Sequence, residues 1–146
     1  MVAVYGALVQ VMQTSEDQFQ ELLAHLLVRG NAALAKTASV PPMSFSLGTD
    51  GSVQFSVGTA DTPNELQRVL GAMRESLVNR VKTEPIVATC IAYSESESGD
   101  VVAMLENHEN FCATVRMQAS PGSKLNLDRM EIGDGFVHVF PIDNDS

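Results

Sequence analysis

Residues 43–57 read Met43-Ser44-Phe45-Ser46-Leu47-Gly48-Thr49-Asp50-Gly51-Ser52-Val53-Gln54-Phe55-Ser56-Val57, an alternation of apolar and polar side chains on either side of an Asp-Gly pair. Side chains of a strand point to opposite faces in turn, so Met43, Phe45 and Leu47 share a face with one another, and so do Val53, Phe55 and Val57. Asp50-Gly51 supplies the backbone of a tight turn, because glycine takes positive φ without a steric cost. The stretch predicts a β-hairpin with one buried face and a polar, uncharged outer face. A two-stranded hairpin is marginal in water by itself, so the flanking sequence has to supply the cover.

Upstream, Ser15 followed by Gln18 reads as a capping box that opens a helix. Phe19, Leu22, Leu23, Leu26, Leu27, Ala33 and Leu34 then recur three and four residues apart, which is one helical stripe. The helix is expected to run through Gly30 to about Lys36, with a break at Gly30 as the alternative, before Pro41-Pro42 ends it. Downstream, Thr62-Pro63-Asn64-Glu65 combines an N-cap, a proline at the first helical position and a reciprocal carboxylate. Leu66, Val69, Leu70, Met73, Leu77 and Val81 form the stripe of this second helix, and Pro85 stops it.

The remainder reads as strands. Ile86 to Tyr93 and Val101 to Leu105 are apolar on both faces, the signature of central strands, and Ser94 to Asp100 is the polar loop between them. Phe111 to Met117 returns to alternation. Asp128 to Ile132 and Phe136 to Phe140, joined by Gly133-Asp134-Gly135, read as a closing hairpin. The fold class is therefore α+β, with two amphipathic helices on a largely antiparallel sheet in the order α-β-β-α-β-β-β plus the closing hairpin. Residues 1–146 are expected to form one domain, with an apolar N-terminal segment over 1–13 and a disordered polar tail over 143–146.

The element order resembles that of roadblock and longin-type modules, which are binding and dimerisation domains. From about Gln18 to Phe140 the layout is also similar to a group of short uncharacterised bacterial proteins, through Pro42, Leu47, the turn residues Asp50 and Gly51, and the Leu105, Glu106 and His108 that close a strand; here Asn107 stands between Glu106 and His108. No activity follows from that likeness.

The 146 residues include nine Lys and Arg against eighteen Asp and Glu, a net charge of -9, so phosphate backbones and anionic headgroups are repelled. Neither nucleic acid nor a membrane surface is an expected partner. Met1 to Met12 is too short to span a bilayer, which takes ~20 apolar residues, and it lacks the charged start of a secretory signal. Cys90 and Cys112 lie in apolar runs, which predicts unpaired, unreactive thiols in a reducing compartment, the cytoplasm.

One polar constellation invites a chemical reading: Glu106-Asn107-His108-Glu109-Asn110, set between two apolar strands. Histidine with flanking carboxylates is the material of a metal or acid/base site, and a small metal-dependent hydrolase centred on Glu106, His108 and Glu109 is one hypothesis. Its spacing lacks the paired histidines of a metalloprotease helix, and a solvated hairpin turn, with asparagines that tolerate left-handed backbone, is the reading preferred here. Cys112 with His108 or His138 as its base is a weaker candidate, because a thiolate needs a neighbour that lowers its pKa. His138, in alternation with Phe136 and Phe140, is expected to be partly buried with a hydrogen-bond partner. Gly133-Asp134-Gly135 lacks the strand and helix of a phosphate loop, and Glu95, Glu97 and Asp100 lack the ligand spacing of a calcium loop. No cofactor or metal is implied.

The leading functional expectation is thus a cytoplasmic, homo-oligomeric binding or scaffold module without catalytic activity. Its ground is that Met1 to Met12, Ile86 to Tyr93 and Val101 to Leu105 carry more apolar surface than two helices can cover. The alternatives are the hydrolase and an acidic escort protein resembling secretion chaperones.

Overall fold

A computed structural model of the chain describes residues 14–37, 39–95, 97–119 and 124–142. The expectations for residues 1–13 and 143–146 fall outside the described residues.

Helix α1 (Ser15–Leu34) starts one residue earlier than the capping-box reading places it, with Thr14 as the cap: its hydroxyl accepts from the Asp17 N–H at 3.2 Å. Gln18 is not a capping partner. It stands four residues before Leu22 in the row Gln18, Leu22, Leu26, Gly30 and Leu34, and that row is buried against the sheet. The helix passes through Gly30 without a break. A Cβ there would meet Leu125 Cδ1 at 2.8 Å, so the bare position admits Leu125 to the core, and Asn31 Oδ1 accepts from the Leu125 N–H at 2.6 Å.

Strands β1 (Met43–Gly48) and β2 (Val53–Val57) form the expected hairpin, in register from Met43 opposite Val57 to Leu47 opposite Val53. Gly51 takes φ 85° at its turn, and the Asp50 carboxylate accepts from the Ser52 N–H at 3.0 Å. Helix α2 (Pro63–Arg80) is capped as read, Thr62 accepting from the Glu65 N–H at 3.1 Å, while the Glu65 carboxylate takes the Asp61 N–H.

Among the described residues, strands β3 (Ile86–Ser94), β4 (Val101–Asn107), β5 (Cys112–Met117) and β6 (Met130–Asp134) complete a six-stranded antiparallel sheet of order β2-β1-β3-β4-β5-β6. The protein is α+β, as the sequence implies, but its helices lie on opposite faces of the sheet. Leu22, Leu26 and Leu34 of α1 pack with Phe45, Cys90, Leu105 and Val115 on one face. Leu70, Met73 and Leu77 of α2 pack with Ile91, Val139 and Phe140 on the other. Two expectations change as a result. Ser44 and Ser46, read as the solvent face of the hairpin, are buried on the α2 side. The apolar surface of β3 and β4, assigned by sequence to a second subunit, is covered within one chain.

The closing hairpin is not formed. The first of its two runs supplies β6, paired to β5 with Val115 opposite Ile132, but Phe136–Phe140 is no strand. A Cβ on Gly135 would lie 2.6 Å from Ala113 N and 2.9 Å from the carbonyl carbon of Cys112, so the chain passes directly over β5 at that point. It then crosses the α2 face of the sheet instead of returning beside β6. Among the described residues, no helix is long and apolar enough to cross a membrane.

Candidate functional site

Residues directly opposite in an antiparallel sheet share a face. The register places Ser46 opposite Gln54 and Thr89, Thr89 opposite Glu106, and Glu106 opposite Cys112. Gln54, Ser46, Thr89, Glu106 and Cys112 therefore make one polar row across the α2 face of the sheet. Arg80 closes one end of it, donating to Ser46 Oγ at 3.1 Å and to Gln54 Oε1 at 2.7 Å while its ion pair with Glu84 at 3.0 Å orients the guanidinium.

Glu106, between Thr89 and Cys112 in the row, is completely buried. Its carboxylate accepts from three successive backbone amides of the crossing segment: His138 at 2.9 Å, Val139 at 3.0 and 3.1 Å, and Phe140 at 2.7 Å. His138 Nδ1 lies 2.9 Å from the same carboxylate and 2.9 Å from the Phe136 carbonyl. Between two acceptors Nδ1 must carry the proton. Burial would push the Glu106 carboxyl up, but the His138 ring and the amides of His138 and Phe140 outweigh it and hold it below the ordinary carboxylate value. Burial likewise opposes a charge on His138, and the bonds to Glu106 and the Phe136 carbonyl reverse that and raise its pKa. Arg74 of α2 donates to the His138 carbonyl at 2.7 Å, so residues 136–140 are strapped to the sheet by Glu106 and to the helix by Arg74. Thr89 Oγ1 and His138 Nε2 are buried with no hydrogen-bond partner among the described residues.

The next residue in β4 does the equivalent work on the opposite face. Asn107 is fully buried; its amide nitrogen donates to Ser15 Oγ at 2.7 Å and to Gln18 Oε1 at 3.1 Å, and its oxygen accepts from the N–H groups of Glu109 and Phe111. It thereby joins the start of α1 to the β4–β5 turn. Asn110 completes that turn with φ 65°, the left-handed backbone expected of an asparagine there.

The structure thus divides the constellation read from sequence. Glu106 and Asn107 are not part of a solvated turn but the last residues of a strand. His108 and Glu109 are exposed at the turn, with His108 Nδ1 3.2 Å from the Val87 carbonyl, while all of Glu106 is engaged by the strap. Among the described residues, no group of three or more His, Cys, Asp or Glu side chains is placed to hold a metal ion. Cys112 neighbours Glu106 across β4 and β5, yet burial and the Glu106 charge raise its pKa, and its thiol donates to the Asn110 carbonyl at 3.6 Å. Burial pushes the Cys90 thiol up to about 12. Both cysteines are free thiols. Glu95 and Asp100 of the acidic loop clasp Arg116 at 3.0 and 3.5 Å.

A groove of about 690 Å³ opens between the end of α1 and the start of α2, lined by Lys36, Val40, Pro42, Asp61, Leu66 and Ser94 among others. Three of its hydroxyls serve the backbone: Ser94 Oγ accepts from the Val40 N–H at 2.7 Å, Thr37 Oγ1 donates to the Ala33 carbonyl at 3.1 Å, and Thr62 caps α2. Compared with protein families, with curated proteins and with solved structures, the chain matches none.

Proposed function

We propose that this protein is a homo-oligomeric binding or scaffold module. The observation that carries the reading is where its polar and apolar groups are spent. The carboxylate, amide and imidazole of Glu106, Asn107 and His138 are consumed in fastening α1 and residues 136–140 to the sheet. Large apolar side chains, by contrast, stand exposed on the edge strands (Phe55 and Val57 on β2, Ile132 on β6) and around the β4–β5 turn (Phe111, with Phe136 and Ile142 of the crossing segment). The turn and that segment are tied by the Asn110 amide, which donates to the Pro141 carbonyl at 3.1 Å. Exposed apolar groups on a rigid scaffold are the material of protein contacts. Light scattering on the purified protein at tens of micromolar tests the reading. A mass of at least twice the chain's 15.7 kDa is expected, and a mass equal to it overturns the homo-oligomer.

A further inference from the structure

We infer that two copies of this chain join edge to edge through β2, making one continuous antiparallel sheet across a two-fold axis; this rests on the homo-oligomeric reading and names its contact. The argument begins with which backbone groups of β2 are unused. Gly48 N–H donates to the Ser52 carbonyl at 2.8 Å and Gly58 N–H to the Pro42 carbonyl at 2.9 Å, at the two ends of the β1–β2 pairing. Residues 52, 54, 56 and 58 of the second strand therefore turn their N–H and C=O groups toward β1, since hydrogen-bonded pairs alternate along an antiparallel ladder. Val53, Phe55 and Val57 turn theirs outward, and among the described residues β2 is the end strand of the sheet.

The sequence of that edge is nearly its own reverse: Val-Gln-Phe-Ser-Val reads backwards as Val-Ser-Phe-Gln-Val. Set antiparallel to a second copy about Phe55, it brings Phe55 opposite Phe55 and Val53 opposite Val57. These are the residues with outward backbone groups, so every free N–H and C=O of the three finds a partner. A register shifted by one residue would oppose outward groups to groups already used by β1. The centred register also matches side chains. Val53, Phe55 and Val57 lie on the α1 face, opposite Leu47, Phe45 and Met43, and meet their like across the seam. Gln54 and Ser56 lie on the α2 face and meet each other. Arginine only donates, so the Gln54 atom facing Arg80 is its oxygen, which leaves the amide N–H groups to reach the Ser56 hydroxyl of the second copy.

Charge selects this edge over the opposite one. β2 carries no ionisable side chain, whereas β6 carries Glu131 and Asp134 in a chain of net charge -9, and two such edges would repel. Phe55 and Val57 are 43% and 50% exposed, so there is apolar surface left for a second copy to cover.

Two variants and the wild type test the seam. Val57→Pro removes an outward N–H that β1 does not use, so the hairpin keeps its ladder while the seam loses donors and gains a ring in its path. In a Cys112→Ser background, Phe55→Cys sets two thiols opposite each other across the two-fold axis, at a Cα separation of about 5.5 Å that suits a disulfide. Expected are a dimeric wild type, at least a tenfold weaker dimer for Val57→Pro with an unchanged far-ultraviolet circular dichroism spectrum, and a covalent dimer of the Phe55→Cys variant under mild oxidation. A dimeric wild type whose folded Val57→Pro form stays equally dimeric, or whose Phe55→Cys form does not cross-link, overturns the β2 seam and leaves the homo-oligomeric module standing. A monomeric wild type overturns both.

Discussion

At the scale of single residues, a carboxylate that no solvent touches fastens residues 138–140 to the sheet. Replacing Glu106 by Ala leaves the N–H groups of residues 138–140 and the His138 ring without their acceptor. Loss of one member of a buried ion pair costs about 3–5 kcal/mol. Urea denaturation of Glu106→Ala should show that loss, and a loss below ~1 kcal/mol would mean that the strap is not held by this residue. The pair also sets a pH window. The pKa of Glu106 is lowered in the fold, so its contribution is complete above the ordinary value of 4.5 and fades as pH falls through the lowered one. That of His138 is raised, so its contribution is complete below the ordinary 6.5 and is lost as pH rises through the raised value. The stability difference between wild type and His138→Gln should therefore be greatest between pH 4.5 and 6.5 and shrink on both sides; a difference that grows into alkaline pH would contradict the charged pair. His108 is the contrasting case. Exposed at the turn, its replacement by Ala should change stability by no more than ~0.5 kcal/mol, with melting temperatures indifferent to EDTA or added Zn²⁺. A metal-dependent rise that vanishes in the variant would revive the hydrolase. The signal that separates Glu106 from His108 is present in the sequence: Glu106 continues the period-two row of Val102 and Met104, and Asn107 that of Ala103 and Leu105. Polarity masks it, because a carboxylate and an amide at those positions look like the end of a strand unless buried partners are known. Gln18 hides for the same reason, four residues before Leu22 on the buried row.

Among elements, the β1–β2 hairpin and α2 are legible because their determinants are local: a glycine at the turn, a threonine cap, a proline at the first helical position. Residues 136–140 are not, because alternation of Phe136, His138 and Phe140 is equally what a strand and a strap would show. The choice between them is made by remote contacts, namely Glu106 on the amides, Arg74 on a carbonyl and the close passage of Gly135 over β5. The side of the sheet that each helix takes is similarly absent from its own stripe, and it decides that Ser44 and Ser46 are buried. Gly135→Ala isolates the strap as an element. Its Cβ would press on backbone atoms of Cys112 and Ala113, which cannot give way as a side chain can. Overpacking of this kind costs about 1–3 kcal/mol. The expected result is a lower melting temperature together with faster hydrogen exchange at the Val139 and Phe140 amides, while the β1–β2 hairpin keeps its protection. Exchange at those two amides no faster than in wild type would show that the crossing tolerates a side chain and is not fixed by glycine.

For the whole molecule, the net charge sets the conditions under which copies can meet. Each chain carries -9, so two copies approach against their own field, while the β2 edge that would join them holds no charge to offset it. Association driven by backbone hydrogen bonds and apolar contact, and opposed by long-range repulsion, responds to salt in a defined direction. The Debye length shrinks from about 30 Å at 0.01 M to about 10 Å at 0.1 M and about 3 Å at 1 M, which removes repulsion between the bodies of the two chains and leaves the backbone hydrogen bonds and apolar contacts of the seam unaffected. The Arg29 guanidinium, 3.6 Å over the Phe55 ring, would meet its counterpart near the two-fold axis, and that like-charge contact is relieved by salt in the same sense. The dimer should therefore tighten as sodium chloride is raised through that range, in contrast to an interface built on ion pairs, which would weaken. Sedimentation equilibrium at a series of salt concentrations measures this directly. The comparison is informative because a charged contact exists away from that edge: Arg116 with Glu95 and Asp100 is an ion pair within one chain, whose screening alters stability rather than association. A dissociation constant that rises with salt would place ion pairs in the contact and exclude the β2 edge, whose five residues contain no charge.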